Sequence, residues 1–328
     1  MKKFVNFLKE YSIFAILVVL AVIFSMGNPA FLKPSNILTI LRQSCIMGIL
    51  GMGEMSLIVV GGLNLSMGAC VALTTVLLAV FTVNMGLPWG VAILISVVIN
   101  TVIGVIINKT KIIPMIGTLA ISNLVSGVAY IICNGLPISG IPNSLKFFYQ
   151  GSVGFMPMPI IIAAVVIVIM GIMFKFTYFG RQIFATGSNR EAARLSGVNA
   201  DKIFIAAYTI CGFMCSIAGL LMLGRMGSGT ANTANTVDME VLSALVIGGV
   251  SMLGGEGKVT KAVGGFLLIT MLTNGMTLNG VNEYVQKVVT GGVFLLSVVL
   301  DSYQHGTFTL MRHIQSPKKA IKEAETNG

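Results

Sequence analysis

Apolar residues in this chain run in long unbroken blocks, not at the alternating or three-and-four spacing of half-buried strands and helices. Carrying a helix across a hydrocarbon core takes about 20 consecutive apolar residues. Laid along the sequence, that length predicts ten spans at approximately 11–28, 43–60, 65–83, 87–107, 113–133, 157–176, 203–224, 240–254, 262–279 and 284–301. The expected fold is therefore all-α, a polytopic integral membrane protein forming one transmembrane domain over 1–328. The eighth span is short and glycine-rich, with Gly248 and Gly249 inside it. A broken or re-entrant segment is expected there, since irregular backbone at membrane depth survives only where protein or a watery cavity satisfies it.

An even number of spans puts both termini on one side, and the basic residues decide which. With the termini in the cytoplasm, only Lys33, Arg42, Lys146, Arg225 and Lys287 of the 21 Lys and Arg residues fall outside. Inverting the chain would reverse that asymmetry, against the positive-inside rule. An internal loop at about 177–202 and a tail at 302–328 carry many of the cytoplasmic charges. Lys2, Lys3 and Lys9 before an apolar run from Ile13 resemble a secretory leader. No small-residue cleavage pattern follows, because Ser25-Met26-Gly27-Asn28-Pro29 stands there, so the segment reads as an uncleaved first span.

Composition narrows the function. The chain is 55% hydrophobic and 10% charged, whereas soluble domains carry about 25% charged residues. Lipid must therefore cover its surface. The net charge of +10 is confined to patches between spans, a pattern that argues against nucleic acid as a partner. Cys45, Cys70, Cys133, Cys211 and Cys215 all lie in apolar stretches without a CxxC, so neither a disulfide framework nor a zinc site is indicated. Cys211 and Cys215 share a helix face but have no His or carboxylate in their stretch, and they read as packing thiols. No Ser/His/Asp, HExxH or paired-carboxylate arrangement appears, and His305 and His313 follow the last span. The chain is not expected to be an enzyme or to hold a metal. Gly254-Gly255-Glu256-Gly257-Lys258 fails the phosphate-loop pattern, since Met252 stands where its first glycine belongs and Val259 follows the lysine. Any ATP and Mg are expected on a partner.

Two loops exceed connector length. The external one, roughly Gly135 to Met156, contains Phe147, Phe148 and Tyr149, which suit an interfacial belt or a ledge for an extracytoplasmic partner. In the internal one, Ser188 and Glu191 have capping-box spacing, and Gly197 is a natural stop. They predict a helix over about Asn189–Ser196, some 12 Å long and too short to span. Ala192 and Ala193 permit close approach, and Arg190 and Arg194 are placed to meet acidic groups. These features fit a mere connector or a contact for another protein.

Glu191-Ala192-Ala193 followed by Gly197 resembles the EAA-x-x-x-G coupling loop of binding-protein-dependent ATP-binding-cassette (ABC) importers. The stretch from Gly180-Arg181 to Gly197 is similar to that loop in the ribose/galactose-type sugar permeases. Three further blocks resemble that family in order and spacing: Gly61-Gly62-Leu63-Asn64-Leu65-Ser66-Met67-Gly68, the glycine-rich Ile247–Gly257, and Asn274-Gly275-Met276-Thr277-Leu278-Asn279-Gly280-Val281. The likeness covers nearly the whole chain. It implies a ten-helix permease subunit of the bacterial inner membrane that translocates a monosaccharide, ribose or a related pentose or hexose. It also implies a second permease chain, a cytoplasmic ABC ATPase and an extracytoplasmic sugar-binding protein. The same look extends to permeases for autoinducer-2, nucleosides and branched-chain amino acids. At Asn64 many relatives carry Asp, so this chain lacks a fixed negative charge there.

The resemblance makes Arg190, Glu191, Ala192, Ala193, Arg194 and Gly197 the candidate ATPase-coupling residues. A neutral sugar needs hydrogen-bonding partners along its path, which selects Asn64, Ser66, Asn123, Asn274 and Asn279, with Glu54 beside them. For each of them the plainer reading, an interhelical hydrogen bond that stabilises the bundle, is the favoured one. Glu54 is also the strong intramembrane titratable candidate that an ion-coupled transporter, the alternative class, would need. Gly61, Gly62, Gly248 and Gly249 suit either close helix packing or a helix break that exposes backbone groups.

Overall fold

A computed structural model of the chain describes residues 2–304 apart from 111 and 235. Most of the expected tail at 302–328, with His305 and His313, lies outside the described residues. The helices are α1 (Lys2–Gly27), α2 (Pro34–Val60), α3 (Met67–Ala79), α4 (Gly90–Thr110), α5 (Pro114–Cys133), α6 (Asn143–Gln150), α7 (Met158–Phe176), α8 (Tyr178–Ser188), α9 (Arg190–Leu195), α10 (Ala200–Met226), α11 (Val237–Ile247), α12 (Val259–Leu278) and α13 (Glu283–Gln304). A π-turn at Val80–Asn84 prolongs α3, and Ser152–Val153 pairs with Met156–Pro157 in a minimal antiparallel hairpin.

The ten expected spans correspond to α1 to α5, α7 and α10 to α13. Among the described residues, seven of these segments are long and apolar enough to cross a membrane: α2, α3 with its π-turn, α4, α5, α7, α10 and α12. Helix α2 starts well before its expected position because Pro34 sits in its first turn, where a missing N–H costs nothing. The polar residues Ser35, Asn36, Arg42 and Gln43 had hidden that turn from a hydropathy reading. The eighth span is broken, as its glycines suggested. Helix α11 has 11 residues, about 16 Å at helical rise, and Gly248 caps its end.

The internal loop departs from expectation. It holds two helices, and the second spans Arg190–Leu195, shorter than the predicted Asn189–Ser196. Ser188 is not its cap: Ser188 ends α8, where its hydroxyl donates to the Phe184 carbonyl at 2.9 Å. The cap is Asn189, in extended conformation, whose Oδ1 accepts the Ala192 N–H at 2.9 Å. Two neighbouring residues, Ser188 and Asn189, both suit a cap, and the chain turns at the second.

Helix α2 is the axis of the bundle, with 94% of its most apolar window buried. Helix α10 packs along it and against α3 and α4. Lipid tails are as apolar as leucine, so the association relies on close fit. At Gly212 of α10 the backbone comes so near Asn100 of α4 that an added Cβ would collide with that side chain. Outer helices show the opposite pattern: Leu94 and Val98 of α4, Leu124 and Ile131 of α5, and Val168 and Ile169 of α7 are all more than half exposed. Apolar faces on that scale belong against acyl chains.

Candidate functional site

Helix α9 stands at the end of the bundle where α7 ends and α10 begins. Its cap by Asn189 and its stop at Gly197 define a rigid turn. Gly197 takes the left-handed conformation (φ 84°) and donates to the Arg194 carbonyl, while Val198 N–H reaches the Ala193 carbonyl, both at 3.0 Å. Ala193 is buried against the protein, whereas Glu191, Ala192 and Arg194 are exposed and Leu195 is 80% exposed. Glu191 and Arg194 pair with each other at 3.0 Å on that outer face. Arg190 turns the other way. It bonds Asp201 at the start of α10 (2.6 Å) and Asn108 at the end of α4 (3.0 Å), and its guanidinium lies 6.0 Å from the Phe204 ring centroid. A cleft of about 1020 Å³ lies between α9 and the turn from α4 to α5.

Behind α9, the end of α8 meets two glycine-rich loops. Gly255 N–H donates to the Val59 carbonyl at the end of α2 (2.8 Å). A Cβ at Gly187 would run into that same carbonyl and into the Gly255 nitrogen. Gly61, left-handed at φ 87°, closes α2 in the same place. The glycine blocks singled out by the sequence thus end helices and allow backbones to touch.

From Gly61 the chain folds back into the bundle before α3 begins. The fold-back is held by buried polar groups. Glu54 Oε1 accepts the Asn64 N–H at 2.9 Å, and Asn64 Oδ1 accepts from the Ser66 N–H (3.0 Å) and hydroxyl (2.5 Å). Asn64 Nδ2 reaches Asn100 Oδ1 on α4 at 3.3 Å, and the Leu65 N–H donates to Thr118 of α5 at 3.1 Å. Glu54, Asn64, Ser66 and Asn100 are all 0% exposed. Cys211 also points here, 3.8 Å from Glu54 Oε2. Asp238 of α11 receives the Gly68 N–H at 2.6 Å, at the start of α3, where a carboxylate complements the helix dipole.

The remaining candidates are dispersed. Asn274 of α12 is buried, accepts from Asn36 at 3.0 Å, and lines a separate polar cavity of about 310 Å³. Asn279, beyond α12, bonds back to the Gly275 carbonyl at 2.8 Å and lies against Gly27. Asn123 is exposed on α5.

The sequence profile of the family described as "Branched-chain amino acid transport system / permease component" matches residues 36–298. The chain belongs to this permease family. The permease is 34% identical over 295 residues to the ribose import permease protein RbsC of Bacillus subtilis (strain 168), covering 87% of this chain and 90% of that one. It is 33% identical over 306 residues to RbsC of Haemophilus influenzae, covering 91% and 94% of the two chains. It is 33% identical over 326 residues to the galactose/methyl galactoside import permease protein MglC of Salmonella typhimurium, covering 93% and 97%. No solved structure matches it.

Several residues of the permease's polar sites escaped the sequence reading. Asn100 and Thr118 complete the fold-back cluster, Asn108 and Asp201 hold Arg190, and Asn36 holds Asn274. Asn100 and Thr118 carried one usable signal, a polar side chain within an apolar span. Their partners lie far away in sequence, and local spacing does not encode such pairing. Among the described residues no group of His, Cys, Asp or Glu is arranged to hold a metal ion.

Proposed function

We propose that this permease is the membrane subunit of an ATP-driven sugar importer of the bacterial inner membrane. Its termini and α8–α9 face the cytoplasm, and it moves a pentose or hexose delivered by an extracytoplasmic binding protein. A second permease chain completes the pathway through the lipid bilayer. A cytoplasmic ATPase, carrying the ATP and Mg, docks on Glu191, Ala192, Arg194 and Leu195. The chain itself catalyses no reaction. The observation that carries this reading is α9, a capped and Gly197-terminated helix. It shows exposed Ala192, Arg194 and Leu195 on one side and is fixed by Ala193 and Arg190 on the other. The names of the relatives matched over some nine-tenths of both chains support a sugar as cargo.

In this mechanism, motion of the ATPase displaces α9. Arg190 passes that motion to α4 and α10, and Gly187 passes it to the end of α2. The exposed amide of Asn123 favours α5 as a pathway helix, because a polar side chain facing hydrocarbon carries a penalty that a watery path removes.

The test is uptake into vesicles holding the permease, its ATPase and internal ATP, with the binding protein outside. Labelled D-ribose, D-galactose and L-leucine serve as cargo, the last because the family description names branched-chain amino acids. ATP-dependent accumulation of a sugar supports the proposal. Accumulation of leucine alone overturns the sugar assignment, and uptake independent of ATP overturns the importer class.

A further inference from the structure

We infer that the cavity among α2, α11, α12 and α13 is a binding site for a neutral polyol of monosaccharide size, entered from the end of the bundle opposite α8 and α9. The inference rests on the proposed sugar import and adds to it a place within a single permease chain. The cavity holds about 310 Å³, at the small end of the range of about 300–1,000 Å³ that small-molecule sites occupy. By connectivity its walls are the far ends of their helices: Arg225 closes α10, Thr277 lies near the end of α12, and Glu283 opens α13.

The lining chemistry selects the ligand. Thr270, Thr273 and Thr277 line one stripe of α12, and Thr290 faces them from α13. Each donates its hydroxyl proton to a carbonyl of its own helix: Thr270 to Phe266 (2.8 Å), Thr273 to Ile269 (3.1 Å), Thr277 to Thr273 (2.8 Å) and Thr290 to Gln286 (2.9 Å). The oxygens of Thr270, Thr273 and Thr290 are left as acceptors, while Thr277 Oγ1 already accepts from Gln286 Nε2 at 3.2 Å; a row of acceptors is what the O–H groups of a polyol require. Donors come from the same helix and from α2. Asn274, within the α12 stripe, has its Oδ1 engaged by Asn36 at 3.0 Å, which orients its amino group as a donor, and Gln43 of α2 lines the same cavity without a hydrogen bond to the described residues.

Charge excludes the alternatives. Arg225 and Lys287 are balanced by Glu240 and Glu283, and Lys287 pairs with Glu283 at 3.6 Å. The four side chains leave no net charge to draw an anion or a cation, and a guanidinium or carboxylate hydrogen-bonds neutral hydroxyls well. Met47 is the single purely apolar side chain of the lining, too little surface for an apolar ligand.

Protection of an introduced thiol tests this in the full chain, in proteoliposomes, with the five native cysteines replaced. Thr273→Cys, or Thr277→Cys if the first does not fold, is labelled with an impermeant maleimide applied from the side opposite α8 and α9. At a D-ribose or D-galactose concentration ten times its Kd, labelling should slow about tenfold, while L-leucine should leave the rate unchanged. In parallel, Gln43→Ala and Thr270→Val should raise the KM for sugar uptake severalfold with the amount of folded permease unaltered. Sugar uptake without protection, and with unchanged KM in both variants, overturns the site and leaves the importer standing. Protection by leucine in place of the sugars overturns the polyol assignment. Failure of the native complex to take up either sugar removes the sugar assignment, and the site with it.

Discussion

Replacing Glu54 separates a hydrogen-bonding role from a charge role. Its Oε1 accepts the Asn64 N–H at 2.9 Å, and both residues are 0% exposed. In Glu54→Leu that N–H loses its partner with no bulk water to replace it. An orphaned buried donor costs about 1–3 kcal/mol, and losing the Cys211 contact to Oε2 adds to the cost. Glu54→Gln keeps a carbonyl oxygen where Oε1 stands, so its cost should stay within about 1 kcal/mol. At no more than about 2–4 °C per kcal/mol for a chain of this size, the Leu variant should melt several degrees lower in detergent while the Gln variant stays near the parent. Uptake should follow the same order, since the fold-back positions Asn64 and Ser66. The assay is thermal stability by size-exclusion fluorescence, paired with vesicle uptake. A Leu variant equal to the parent in both measurements would refute the reasoning, as would a Gln variant as unstable as the Leu one.

Gly197→Val forces a β-branched residue to φ 84°, at about 1 kcal/mol or more. It should insert normally yet lose ATPase co-purification or coupled uptake, as should Ala193→Trp, which overfills a buried position; normal coupling in both variants would reduce α9 to a connector. Gly187→Val should be worse than Gly197→Val in yield of folded protein, because its side chain meets backbone atoms at Val59 and Gly255; equal expression would count against the junction. Arg194→Glu puts two acids on the exposed face of α9 and, against an acidic docking surface on the ATPase, should weaken association more at low salt than at high. For topology, Glu191→Cys in a cysteine-free chain should resist an impermeant external reagent that labels Phe155→Cys, and labelling of residue 191 would invert the assignment.

The spans were legible because lipid demands unbroken apolar length, a property that survives without knowing any neighbour. The break after Ile247 was legible for the same reason, since Gly248 and Gly249 interrupt that length. Helix α8 was not, because Gly180 and Gly187 lower helix propensity and its polar residues read as loop. The glycines are there for contact with other backbones, which only the fold reveals. At α9 the stop at Gly197 was readable from one residue, whereas the start was assigned one residue early, to Ser188. Arg190 was expected to face a partner protein. Its pairing with Asp201, eleven positions on, and with Asn108 of α4 depends on how two helices cross, and nothing in the loop's spacing fixes that.

Side chains are compliant: a displaced leucine or arginine absorbs an ångström by changing rotamer, and the movement dies out within a layer or two. Where Gly187, the Val59 carbonyl and the Gly255 N–H meet, there is no side chain to rotate. A push on the end of α8 therefore arrives at the end of α2 without slack. The stiffness that makes this junction intolerant of even one methyl group is the property a lever needs at its fulcrum.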